Sequence, residues 1–82
     1  MTPERYCAGV AALLAEGSAD GPPEVTLSTR VVDLAGADSL LFMELVAHTE
    51  DLCDAVMSEG LVVTLETVGD LYAFLDAHLS QR

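Results

Sequence analysis

Only one stretch of this chain has the make-up of a β-strand, and nothing else in the sequence can pair with it. In VTLSTRVVDL, the residues Val25, Leu27, Val31, Val32 and Leu34 cluster as strand residues do. A lone strand leaves its backbone donors and acceptors unpaired and is unstable in water. The run is therefore read as an ordered loop that pins apolar side chains onto a helical core. Elsewhere the apolar residues recur at helical spacing, so the expected fold is all-α.

Punctuation residues divide those helices. Thr2 can cap, Pro3 suits a first helical position, and Glu4 sits well in a first turn. Tyr6, Val10, Leu13 and Leu14 then mark an apolar stripe. Gly17 is a stop signal, and Pro22-Pro23 forbid continuation. A long connection from about Ser18 to Ala37 follows, expected to lack regular structure. The next helix starts at Asp38 or Ser39. Leu40, Met43, Val46 and Ala47 mark one apolar stripe along it, and Leu41, Leu45 and Leu52 another. A short helical turn is expected from about Ser58 to Leu65. Thr67 then caps a last helix, with Asp70 completing an acidic capping box and Val68, Leu71, Phe74, Leu75 and Leu79 as its buried stripe. The expectation is a single domain over residues 1–82: a small antiparallel four-helix bundle, three longer helices and one short, with a long first loop.

Charge restricts function. Fourteen acids face three arginines and no lysine, a net charge of −11. Phosphate backbones and anionic membranes repel such a surface, so nucleic-acid and membrane binding are not expected. Proteins with basic patches are the natural partners. About half the residues are apolar, enough for a core, though one of this size supplies only about 5 kcal/mol or less of stability. Cys7 and Cys53 form no CxxC or Cys/His metal pattern and sit among apolar neighbours, so they read as buried free thiols. No signal peptide or membrane-length apolar run is seen, which predicts a soluble cytoplasmic protein, taken as a monomer. His48 and His78 read as surface or boundary residues, and no nucleophile–base set, metal site or phosphate loop is present.

The stretch GADSLLFMELVAHTEDLCD, Gly36 to Asp54, carries the functional question. Ser and Asp at a helix start are ordinary caps. The same place also suits a phosphate, because a helix N-terminus presents backbone N–H groups and the positive end of the dipole. A phosphodiester on the Ser39 hydroxyl would cost the fold little.

GADSL followed by an acidic helix resembles the modification site of acyl carrier proteins. TVGDLYAFLDAHL, Thr67 to Leu79, resembles the family's final helix, and the interval between the two motifs fits without a gap. The resemblance covers about Thr2 to Leu79. It implies a non-enzymatic carrier whose Ser39 receives a 4'-phosphopantetheine arm from coenzyme A through a phosphopantetheinyl transferase that uses magnesium. The arm would hold intermediates as thioesters and deliver them to synthase, loading or modifying enzymes. Asp38 matches the acid that helps bind the transferase and its metal, and Glu44, Glu50 and Asp51 match acids of the recognition helix.

The chain also departs from the family's pattern. Leu41 stands two residues after the serine, where an acid is common, and Phe42 follows it. Leu40, Leu41, Phe42 and Met43 cannot all face one stripe, so at least one is expected at the surface as a partner contact. Leu41 or Phe42 is the expected apolar contact, unless the long first loop covers both. Cys53 stands at a usual aromatic and Ser58 at a usual proline, and the Asp33-Leu34 pair sits one residue early. The lack of lysine and the alanine-rich composition lean towards polyketide-type or other specialised metabolism. A peptidyl or aminoacyl carrier remains open, as does an acidic helical interaction domain in which Ser39 is only a cap; a small hydrolase is the weakest alternative.

Overall fold

Thr2 sets where the first helix begins. Its Oγ1 accepts the Arg5 N–H at 3.2 Å, and Pro3, with no N–H to satisfy, follows at the helix start. The helix, α1 (Pro3–Ala15), ends at a C-cap on Glu16. The computed structural model describes residues 1–16, 21–35 and 39–80, apart from the side chains of Ala35 and Ser39. Gly17, expected as the stop, and Asp38, expected at a helix start, both lie outside the described residues.

After α1 the helices are α2 (Val31–Ala35), α3 (Ser39–Cys53), α4 (Glu59–Val62) and α5 (Val68–Leu79). The all-α class stands. The long first connection, expected to lack regular structure, contains α2, so among the described residues two short helices accompany the three longer ones. The reason is tertiary. A turn held by Thr26 and Thr29, with the Thr26 N–H donating to Thr29 Oγ1 at 2.9 Å, brings the chain to the start of α5. There Val31 N–H donates to Glu66 O at 2.9 Å and Val68 N–H to Thr29 O at 2.9 Å, an isolated antiparallel bridge between Arg30 and Thr67. Gly69 N–H donates to Leu27 O at 2.8 Å. A Cβ on Gly69 would lie 2.9 Å from that same oxygen, so this approach requires glycine.

The α5 capping box forms as its sequence predicts. Thr67 Oγ1 accepts the Asp70 N–H at 3.2 Å, and Asp70 Oδ2 accepts the N–H groups of Thr67 and Glu66 at 3.0 and 2.9 Å. Those backbone bonds, Thr67 first and Glu66 second, favour the ionised carboxyl and lower its pKa. The two departures near α4 also have local reasons. Ser58 caps α4, its Oγ accepting the Leu61 N–H at 3.2 Å. Cys53 is buried, its thiol donating to Thr49 O at 3.3 Å.

The core joins Tyr6, Cys7 and Val10 of α1, Val31 of α2, Leu45, Val46 and Cys53 of α3, Met57, and Val68, Leu71 and Leu75 of α5. Cys7 and Cys53 are both free thiols, as expected. One buried polar pair lies among them. Thr49, fully buried, donates its hydroxyl proton to Leu45 O at 2.9 Å, so Tyr6 must donate to Thr49 Oγ1 across 2.6 Å. Burial pushes the Tyr6 phenol up to about 12.

Candidate functional site

α3 is apolar around much of its circumference, and the choice of buried face is made by its neighbours. It packs against α5 and α2. Leu45, Val46, Thr49 and Cys53 turn inward and are buried, with Leu41, Phe42 and Leu52 half-buried beside them. Leu40, Met43, Glu44, Ala47 and Asp51 are exposed. These five fall at helical intervals of three and four, so they form one outer face.

The expected docking residues divide along this line. Leu40 and Met43, 69% and 50% exposed, share the outer face with Glu44 and Asp51. Leu41 and Phe42 are half-buried, and Phe42 packs against the core. The apolar residues offered to solvent beside the start of α3 are thus Leu40 and Met43, not the Leu41–Phe42 pair. Of the apolar stripe expected from Leu40, Met43, Val46 and Ala47, only Val46 is buried; the other three are exposed. Glu50 is half-buried, and its Oε2 accepts the Met57 N–H at 2.6 Å.

Ser39 is the first residue of α3, a helix of 15 residues. No acidic side chain lies in the first turn of that helix. A phosphate held there meets the positive end of the dipole without a like charge from residues 39–42. The position therefore fits a phosphodiester-linked group. Asp38, the other residue expected at the site, lies outside the described residues.

Other features of the described residues add little chemistry. A groove of about 530 Å³ lies between α1 and residues 23–27, and its only ionisable lining groups are Glu4 and Cys7. Burial, helped by the Glu4 charge, raises the Cys7 pKa, which makes it a poor nucleophile. His48 and His78 are half-buried at the boundary, as expected; His78 Nδ1 lies 2.9 Å from Phe74 O, and its ring lies 4.1 Å from that of Phe74. Among the described residues no three His, Cys, Asp or Glu side chains could hold a metal ion, and no helix is long and apolar enough to cross a membrane. The sequence reading missed Val32, Val56 and Val63, which are 51%, 85% and 81% exposed. A strand-like run hid the first, and nothing in the periodicity of the short α4 region marked the others.

Residues 9–75 match the family model described as a phosphopantetheine attachment site. The chain is 33% identical over 79 residues to an acyl carrier protein of Exiguobacterium sibiricum, covering 96% of this chain and all of that protein. It is 32% identical over 75 residues to a meromycolate extension acyl carrier protein of Mycobacterium tuberculosis, covering 92% of this chain and 65% of the relative. An acyl carrier protein of Amoebophilus asiaticus is 30% identical over 70 residues, covering 85% of this chain and 88% of the relative. No solved structure matches at a significant level.

Proposed function

Because this chain belongs to the acyl carrier protein family, we propose that Ser39 is the residue that carries its prosthetic arm. Members of the family are not enzymes; they are carriers to which 4'-phosphopantetheine is covalently attached. When bound, the arm supplies a terminal thiol on which an acyl group is held as a thioester. The observation that carries the assignment is the place of Ser39 as the first residue of α3, with no acid in that helix's first turn. Asp38 is its partner in transferase recognition, on the strength of its position in the motif.

The chain's own residues supply the encounter surface. Leu40 and Met43 give an exposed apolar strip beside the attachment point, and Glu44 and Asp51 border it with negative charge. Charge speeds arrival of basic partners, while screening keeps each complex short-lived. The partners are a phosphopantetheinyl transferase and then synthase or loading enzymes with basic patches. Tethering replaces affinity for a free metabolite with effective concentration at a docked active site. Acyl cargo in polyketide-type or other specialised metabolism is the pathway class we favour, supported by the absence of lysine and the alanine-rich composition. One relative is named for meromycolate extension, which makes an extension step of that kind the second reading.

The test is a weighing. Purified protein is incubated with coenzyme A and a promiscuous pantetheinyl transferase, and its mass is measured. The expected result is a gain of one arm that Ser39→Ala abolishes. A folded wild-type sample that gains nothing removes the assignment. Loading the armed protein with malonyl or aminoacyl donors then separates acyl from aminoacyl cargo.

A further inference from the structure

Glu50 differs from the other acids on α3. It is half-buried, and its carboxylate reaches seven residues ahead to accept the Met57 N–H at 2.6 Å. Met57 itself is buried. The intervening turn is tight: Asp54 has φ +52°, and Ala55 N–H donates to the Glu50 backbone oxygen at 3.2 Å. One residue therefore holds the connection from α3 to α4 with both its main-chain and its side-chain oxygen. Beyond Met57, Ser58 caps α4.

We propose that Glu50 is a positioning residue, which fixes the turn from α3 into α4, and that Glu44 and Asp51 are the acids of α3 that meet partners. The choice is between two uses of one carboxylate. A hydrogen bond from a part-buried backbone amide to a carboxylate is worth more than an exposed ion pair in screened solvent. A basic side chain on a partner does not displace it. The brace keeps the exposed Val56 and Val63, which lie on either side of α4, in one arrangement. A carrier that visits several enzymes thereby presents the same surface to each. The carrier reading supplies the partners in this proposal; the brace itself is independent of it.

Backbone amide exchange tests the brace directly. Glu50→Ala is expected to speed exchange at Met57, Val62 and Val63 by about tenfold or more, because an acceptor is lost and α4 opens locally. Glu50→Gln keeps an acceptor oxygen and is expected to stay close to wild type, as is Asp51→Asn. In the unaltered protein, the Met57 amide should be protected from exchange, a measurement that requires no variant to fold. Arm loading by the transferase at low salt provides the second readout. Glu44→Gln should slow it several-fold, while Glu50→Gln should not. Met57 exchange that ignores Glu50→Ala, a Met57 amide unprotected in the unaltered protein, or a Glu50→Gln defect equal to that of Glu50→Ala each overturns the proposal. If the wild type accepts no arm, the Ser39 assignment fails, and the exchange results still decide the role of Glu50.

Discussion

Tyr6 and Thr49 show how unequally two partners in one hydrogen bond can matter. The Thr49 hydroxyl donates to Leu45 O and accepts from Tyr6. Tyr6→Phe removes one accepted bond and leaves the threonine proton satisfied, so a loss of about 0.5–1.5 kcal/mol is expected. Thr49→Val strands a phenol inside the core with nothing to bond. Its cost should be larger, about 1–3 kcal/mol. Urea unfolding of the two variants measures the difference, and equal losses would mean that Tyr6 finds another acceptor. Little of this pair was legible in the sequence. Tyr6 stood out as a core residue by its spacing, but a threonine within an apolar helix gives no sign of whether it is buried.

At the scale of elements, the N-terminus of α5 does two jobs. Its capping box was readable because the motif is local: Thr67 and Asp70 satisfy each other's backbone within four residues. Its second job, receiving the first connection, was not readable, because Leu27, Thr29 and Glu66 meet only in the folded chain. That is also why α2 was missed: bonds from distant residues hold Val31–Ala35 in place, while its composition suggests a strand or loop. Periodicity failed on α3 for another reason. A helix that is apolar nearly all round offers two candidate stripes, and α5 and α2 choose between them.

Two predictions belong to this element. Gly69→Ala forces a Cβ against Leu27 O, with a backbone oxygen as the obstacle. A loss of about 1–3 kcal/mol is expected in chemical denaturation. Asp70 gives a pH dependence. Its folded pKa lies below the ordinary value of 3.8, so its contribution is complete above that pH and fades as pH falls through the folded value. Asp70→Ala should therefore be less stable than wild type near neutrality, and the gap should narrow below 3.8. Urea midpoints recorded from about pH 6 to about pH 2 follow this directly; a gap that is constant throughout would contradict it.

Over the whole molecule, net charge opposes the compact state. With −11 on 82 residues, self-repulsion destabilises the fold even as it keeps molecules apart. Raising sodium chloride from about 0.01 M to about 0.15 M shortens the screening length from about 30 Å to about 8 Å. Thermal midpoints should rise over that range, while association with the basic partners proposed above should slow. The same ions thus pull stability and encounter in opposite directions, and a calorimetric scan beside a stopped-flow series would show both.

The bridge between Arg30 and Thr67 also bears on the order of events during synthesis. The residues from Leu27 to Val31 finish their fold only against backbone that is made 35 to 42 residues later. A ribosome that has just released residue 54 has delivered the GADSL motif and all of α3, but not the surface on which the preceding stretch docks. A transferase that recognises shape as well as motif would pass over that nascent chain and act once the last helix is in place.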